Sequence, residues 1–211
     1  SRCGVMPMQA GSVSEFIFYG SKLLPGTTRL VKVYCPAQYR SGEAAALYVS
    51  QDGLREHEPL VFDRLIAGGA MPVIVGVFVS PGRIPPTLPG GFERSNRCPE
   101  YDSLGSAYAD FLIQEILPEV SRRFDIRFAD SPDSHAIGGC SSGGIAAFNA
   151  AWSRNDFFRR VYMSSPSFVA FHGGETLPVL VRKTETKPIR SFLTFGTDDM
   201  RNAAGDWYIQ G

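Results

Sequence analysis

Residues 135–148 read His-Ala-Ile-Gly-Gly-Cys-Ser-Ser-Gly-Gly-Ile-Ala-Ala-Phe, and no other stretch limits the fold so severely. A short apolar run leads into Gly139-Cys140-Ser141-Ser142-Gly143, and a small-residue helical pattern follows at once. Gly-x-Ser-x-Gly between a strand and a helix is the nucleophile elbow. Its central residue occupies a strained bend, so the positions two before and two after it must lack bulk. Gly139 and Gly143 meet that demand. The bend presents Ser141 at the carboxyl end of a strand, over the amino terminus of the next helix. There the helix dipole and the free Ser142 N–H favour a developing oxyanion. The rival glycine-rich motif, a phosphate loop, fails because neither G-K-[ST] nor G-x-G-x-x-G is present. Cys140 is the neighbour of the presented residue and is expected to pack as a small buried side chain under the turn.

An elbow needs a mostly parallel sheet, and the rest of the chain supplies one. Apolar β-rich runs near 15–19, 29–35, 45–50, 73–79, 135–138, 160–164 and 191–195 alternate with helical patterns over 58–67, 105–124 and 142–152. The run 72–79 is apolar on both faces, as a strand covered from each side must be. Pro118 should kink or break the second helix. The Pro/Gly-rich segment 80–98 is a long loop of the kind that shapes a site. With 211 residues, 44% hydrophobic and 20% charged, one α/β domain over 1–211 is expected. The net charge of +0 excludes nucleic acid and anionic membranes as main partners, since both require a basic field. No apolar run approaches the ~20 residues of a membrane span. Ser1-Arg2-Cys3-Gly4 lacks the layout of a signal peptide and suggests a leader or upstream domain already removed. Cys3, Cys35, Cys98 and Cys140 have no metal-ligand spacing, and one disulfide is compatible with them. The compartment stays open.

Further ordered features carry a resemblance. They are Pro25-Gly-Thr-Thr-Arg29, Val33-Tyr-Cys-Pro-Ala-Gln-Tyr39, Gln51-Asp-Gly53, Pro81-Gly82, Arg97-Cys-Pro-Glu-Tyr-Asp102, Gln114-Glu-Ile-Leu-Pro118, Ala151-Trp152, Asp156-Phe157 and Gly205-Asp-Trp207. With the elbow, and from about Pro25 onward, the chain resembles the esterases of the esterase D and enterochelin-esterase type, including the gluconolactonase-associated branch. The resemblance implies an α/β-hydrolase fold, a three-layer sandwich with helices on both faces of the sheet. It also implies a serine esterase acting through an acyl-enzyme, with no metal or organic cofactor. The second oxyanion donor falls on the Leu54 backbone N–H, after strand three. The acid that orients the catalytic histidine falls on Asp199, with Asp198 the near alternative. Asp52, Arg97, Glu100 and His172 fall around the substrate pocket. Arg97 and Glu100 are read either as a pair that orients a polar substrate or as an ion pair that holds the loop.

A serine and an acid need a base between them. In the resembled family that histidine follows strand eight, in a Gly-Gly-His context absent here. Of the three histidines, His135 opens the strand leading to the elbow. Six residues at ~3.3 Å each put it nearly 20 Å from Ser141, as a partly exposed structural residue. His57 starts a helix and reads as a rim residue. His172, after strand six, lines the pocket and is the weaker candidate for the base. The expectation is therefore a chain that stops short, lacking the last strand and helix of the fold. Its histidine would lie beyond Gly211, and the chain alone would be nearly inactive, with one edge of strand seven open. The partner expected is a small or medium polar ester or lactone, with a homodimer left open. An acyltransferase or a non-catalytic binding module on the same scaffold are the alternatives.

Overall fold

The structure, a computed structural model, describes residues 9–169 and 173–211. Seven strands form the continuous path of its eight-stranded main sheet, β1 Ser12–Phe18, β2 Arg29–Cys35, β3 Ala44–Gln51, β4 Ile74–Val79, β5 His135–Cys140, β6 Arg160–Ser164 and β7 Arg190–Thr194, and the short strand Arg127–Phe128 pairs with the start of β3 off that path. Their spatial order is β1-β2-β4-β3-β5-β6-β7. The first two strands are antiparallel, from Ser12 opposite Cys35 to Phe18 opposite Arg29, and β2 also runs antiparallel to β4. From β4 across to β7 every pairing is parallel. All seven strands were expected from the apolar runs. The consequence for function is geometric. The parallel strands end on one edge, so the loops after β3, β4, β5, β6 and β7 gather there.

Alternation along the strands fills two layers. Leu47, Val49, Val75, Val77 and Ile137 face one side, against Phe111, Leu112, Ile116, Ala147 and Ala150 of helices α3 (107–124) and α4 (Ser142–Ser153). Ile74 and Phe78 face the other, with Tyr34, and meet Phe62 and Ile66 of α1 (Glu58–Ala67). β4 is buried at all six positions, because helices cover both its faces. The chain is thus an α/β three-layer sandwich.

Pro118 does not break the long helix. The chain passes from α-helix over Ala107–Phe111 through a π-helical turn, Leu112–Ile116, into α-helix again over Leu117–Phe124. Pro118 has no N–H to give, and its ring would strike the carbonyl four residues back. A widened turn just before it relieves both problems without ending the helix. The loop after β4 pairs Arg83–Ile84 with Arg94–Ser95 and runs into the short helix α2, Arg97–Tyr101. Helices α5 (Thr176–Lys183) and α6 (Trp207–Gln210) complete the described chain, and neither was evident from the sequence. Among the described residues no helix is long and apolar enough to cross a membrane, and β7 pairs with β6 alone.

Candidate active site

The turn between β5 and α4 has the strain that the glycines anticipate. Ser141 sits at φ 57°, ψ −124°, backbone that side chains rarely adopt. A side chain on Gly139 would collide with the Gly143 carbonyl. One on Gly143 would come within 2.9 Å of the Asp52 carboxylate. Backbone bonds lock the bend, for the Ser141 N–H donates to Ser164 O at 3.0 Å and the Gly144 N–H to Ser141 O at 2.9 Å. Ser141 remains half-buried, not sealed in packing. Ser142 opens α4, so its N–H has no intrahelical acceptor and faces the anion-favouring end of the dipole. Cys140 is a half-buried free thiol, more open than the buried side chain expected, because it points away from the α4 layer in a strand whose next residue leaves the sheet.

Among the described residues the Ser141 hydroxyl has one side-chain hydrogen-bond partner, Ser167, at Oγ–Oγ 2.9 Å. The Trp207 indole N–H donates to the same Ser167 Oγ at 3.0 Å. Neither residue was singled out from sequence as part of the site. Trp207 appeared only inside a family motif, and Ser167 lies in a Ser-Ser-Pro-Ser loop of no distinctive pattern.

The loop after β3 approaches the start of α4. Asp52 and Gly53 take φ values of 67° and 84°, which turn the chain sharply toward Gly143. Two residues of α2, one helical turn apart, hold Asp52 there. Arg97 donates from Nε to Oδ1 at 2.6 Å and from Nη2 to Oδ2 at 2.9 Å, a bidentate fork. Tyr101 Oη accepts the Asp52 backbone N–H at 3.1 Å. Burial pushes the Tyr101 phenol well above its ordinary pKa, and the hydrogen bond to Asp52 raises the Arg97 guanidinium. Arg97 is therefore a cation paired to Asp52, with its side chain one third exposed.

Glu100 corrects the sequence expectation. It does not pair with Arg97 and does not reach the pocket. Its carboxylate is wholly buried against Arg29, which donates to Oε2 at 2.8 Å and to Oε1 at 2.9 Å. Asn96 and the Gly82 N–H take further acceptor positions. These partners occupy both carboxylate oxygens and leave Glu100 nothing to offer a substrate. Arg97 and Glu100 thus belong to two separate ion pairs.

Leu54 packs against the α1 layer, two residues beyond Asp52 in the same loop. Asp199 lies past β7, where its Oδ2 accepts the Gly196 N–H at 2.9 Å and its own N–H returns to Gly196 O. The end of β7 is tied to the loop after β6 through the Ser165 N–H, which donates to Thr194 O at 2.7 Å. His135 is buried, 3% exposed, not partly exposed as expected. Its ring stacks on Phe157 and both nitrogens lie against the Phe157 and Ala129 carbonyls, at the far end of β5. His57 is exposed at the start of α1 and borders an apolar groove of about 940 Å³ over that face of the sheet. His172 lies outside the described residues. No group of three or more potential metal ligands occurs among the described residues.

Solved structures of similar fold include esterases. The enterobactin esterase from Shigella flexneri, determined in the presence of enterobactin, superposes with a TM-score of 0.66 at 20% identity, over 85% of this chain and 45% of that one. An enterochelin esterase from the same organism gives 0.58 at 23% identity, over 74% and 36%. A ferulic acid esterase gives 0.55 at 20% identity, over 76% and 62%. This chain therefore spans less than two thirds of the length of each, and at such identities the likeness is one of fold: the α/β-hydrolase sheet. No curated protein matches. The family model described as "Putative esterase" matches residues 21–190, a span that runs from before β2 into β7 and includes Ser141, Asp52 and Arg97. On that match the chain belongs to the esterase family.

Proposed function

We propose that this protein is a serine esterase that cleaves a carboxylic ester through an acyl-enzyme on Ser141. The observation that carries the reading is the backbone of Ser141, held at φ 57° between β5 and α4 with its residue half-buried. Strain of this kind costs of order 1–3 kcal/mol, and presenting a hydroxyl over a helix amino terminus gives it a purpose. In the proposed cycle a base removes the Ser141 proton while Oγ adds to the ester carbonyl carbon. The carbonyl electron pair moves onto its oxygen, which the Ser142 and Leu54 N–H groups receive. The alcohol leaves with the proton from the base, and water releases the acyl group by the same steps in reverse roles. Asp199 orients the base. One of its oxygens is taken by Gly196, and Oδ1 accepts nothing among the described residues.

The base is a histidine. His135 is excluded by its place at the opposite end of β5 and by two carbonyl contacts, and His57 by its exposed place at the start of α1, on the groove side of the sheet, so among these residues His172 is the one left for the role. The Arg97–Asp52 ion pair, one third exposed and next to the start of α4, is proposed as the polar wall that a substrate meets, with Arg97 offering its remaining N–H to a polar or anionic group. Small or medium polar esters and lactones fit that wall. The similar structures named for enterobactin, enterochelin and ferulic acid share this fold, which by itself does not choose among their substrates.

The direct experiment is labelling with a fluorophosphonate, followed by peptide mass spectrometry. Modification of Ser141, abolished in Ser141→Ala, is the expected result; an unlabelled Ser141 in folded protein would sink the reading. Hydrolysis of p-nitrophenyl acetate by His172→Ala then assigns the base. Loss of activity in folded His172→Ala places the base on His172, and unchanged activity removes His172 from the role.

A further inference from the structure

One side chain that the proposed cycle does not use touches the nucleophile itself. Ser167 is 2% exposed, in the loop after β6, and that loop grips Ser141 from three sides. Ser164 O accepts the Ser141 N–H at 3.0 Å, the Ser167 N–H donates to Ser141 O at 3.2 Å, and the two hydroxyl oxygens stand 2.9 Å apart. Either oxygen could be the donor in an isolated pair. Here the pair is not isolated. An indole N–H can only donate, and the Trp207 indole ends 3.0 Å from Ser167 Oγ. With one lone pair of Ser167 filled in this way, its single hydrogen is free to go to Ser141.

Trp207 is itself fixed by the loop that carries Asp199. Its backbone N–H donates to Met200 O at 3.1 Å, and the short pairing of Arg201–Asn202 with Gly205–Asp206 is closed by an Arg201–Asp206 ion pair at 2.7 Å. A continuous set of hydrogen bonds thus leads from the β7 loop through Trp207 and Ser167 to Ser141.

We infer that Ser167, anchored by the Trp207 indole, is a positioning residue that donates its hydroxyl hydrogen to Ser141 Oγ. This rests on Ser141 being the nucleophile. The donation selects one rotamer of Ser141 and turns its own hydrogen toward the base. When the base takes that proton, Oγ carries negative charge until its electron pair forms the bond to the carbonyl carbon. The Ser167 bond is strongest at that moment, because a charged acceptor roughly doubles it. When the acyl-enzyme breaks down, Oγ departs with the electron pair and is again stabilised until the base returns a proton.

The test compares the second-order rate of Ser141 modification by a fluorophosphonate in the full chain. Ser167→Ala is expected to slow it about tenfold, the worth of one hydrogen bond to a charged oxygen, and Trp207→Phe, which removes only the anchor on Ser167, about threefold to fivefold. Ser167→Thr, which keeps the hydroxyl, restores most of the rate; a role in packing alone would not predict that rescue. The chain has two tryptophans, so an NMR spectrum of the 15N-labelled protein carries two indole signals. Ser167→Ala and phosphonylation of Ser141 should each move the Trp207 signal and leave that of Trp152 in place. If Ser167→Ala does not fold, Trp207→Phe carries the rate comparison. Labelled wild type with variants that react as fast or faster would overturn the inference and leave the nucleophile standing. Wild type that does not label would overturn both.

Discussion

Gly139 and Gly143 look equivalent in the motif, yet the structure gives them different neighbours. A methyl group on Gly139 meets the backbone of Gly143, inside the bend, and nothing there can give way. On Gly143 it meets the end of the Asp52 side chain at 2.9 Å, which can move at the expense of its bonds to Arg97. Gly139→Ala should therefore destabilise by roughly 2–3 kcal/mol or more, as overpacking against a rigid wall does. Gly143→Ala should cost about 1 kcal/mol or less and act mainly by displacing Asp52. Thermal unfolding separates them, since about 1 kcal/mol is worth roughly 2–4 °C in a chain of this size. Equal shifts would mean that the bend relaxes around either methyl. Ser141 and its two glycines were legible in the sequence because the constraint is local, six or seven residues that must share one backbone shape. Ser167 and Trp207 were not, because they meet Ser141 only after β6 and β7 have been laid beside β5, and no spacing along the chain encodes that meeting.

At the scale of elements, α2 is the clearest case of one short segment with two jobs. Arg97 and Tyr101 point toward Asp52 at the site, while Glu100 turns beneath and joins the helix to β2 through Arg29. The two ion pairs should respond differently to substitution. Arg29 and Glu100 are fully buried, so Arg29→Met or Glu100→Leu alone strands a charge and should cost about 3–5 kcal/mol. The double variant should recover much of that loss, read from urea midpoints. The Arg97–Asp52 pair is one third exposed, and such pairs contribute about 1 kcal/mol or less. Arg97→Ala should leave the urea midpoint nearly unchanged and raise KM for an anionic ester more than for a neutral one. A fall in stability without a change in KM would make Arg97 a structural residue. The central strands and the helices α1, α3 and α4 were readable because each buries an apolar face, and the edge strands β1 and β7 from their β-rich apolar runs alone, since they remain largely exposed. Helix α2 was not, because five residues are too few to show a period, and its charged residues do not reveal which partner each will find. The same limit explains the pairing of Arg97 with Glu100 anticipated from their closeness in sequence. Proximity along the chain placed both in one loop, but burial decided that Glu100 would go to Arg29.

The whole molecule is unevenly covered, and the difference follows the sheet order. Strands β4 and β3 lie in the middle and are packed on both faces. β7 stands at the edge, paired only with β6 among the described residues. Phe192 on β7 is 64% exposed and stacks on Tyr162 of β6, itself 41% exposed. On the same side, the groove of about 940 Å³ exposes Tyr48, Val61 and Tyr162. Unpaired strand edges with apolar neighbours recruit other strands, and contiguous apolar patches promote association. The net charge of +0 adds no repulsion to oppose it. The isolated chain should thus self-associate with increasing concentration, as sedimentation velocity would measure. Phe192→Lys places a charge on the edge strand, the device by which exposed edges are commonly protected, and should shift the distribution toward monomer without altering phosphonate labelling of Ser141. If the variant and the parent sediment alike, this edge is not the surface that drives association. If labelling falls as well, the change on β7 reaches Ser141 through the pairing with β6 and the Trp207–Ser167 hydrogen bonds.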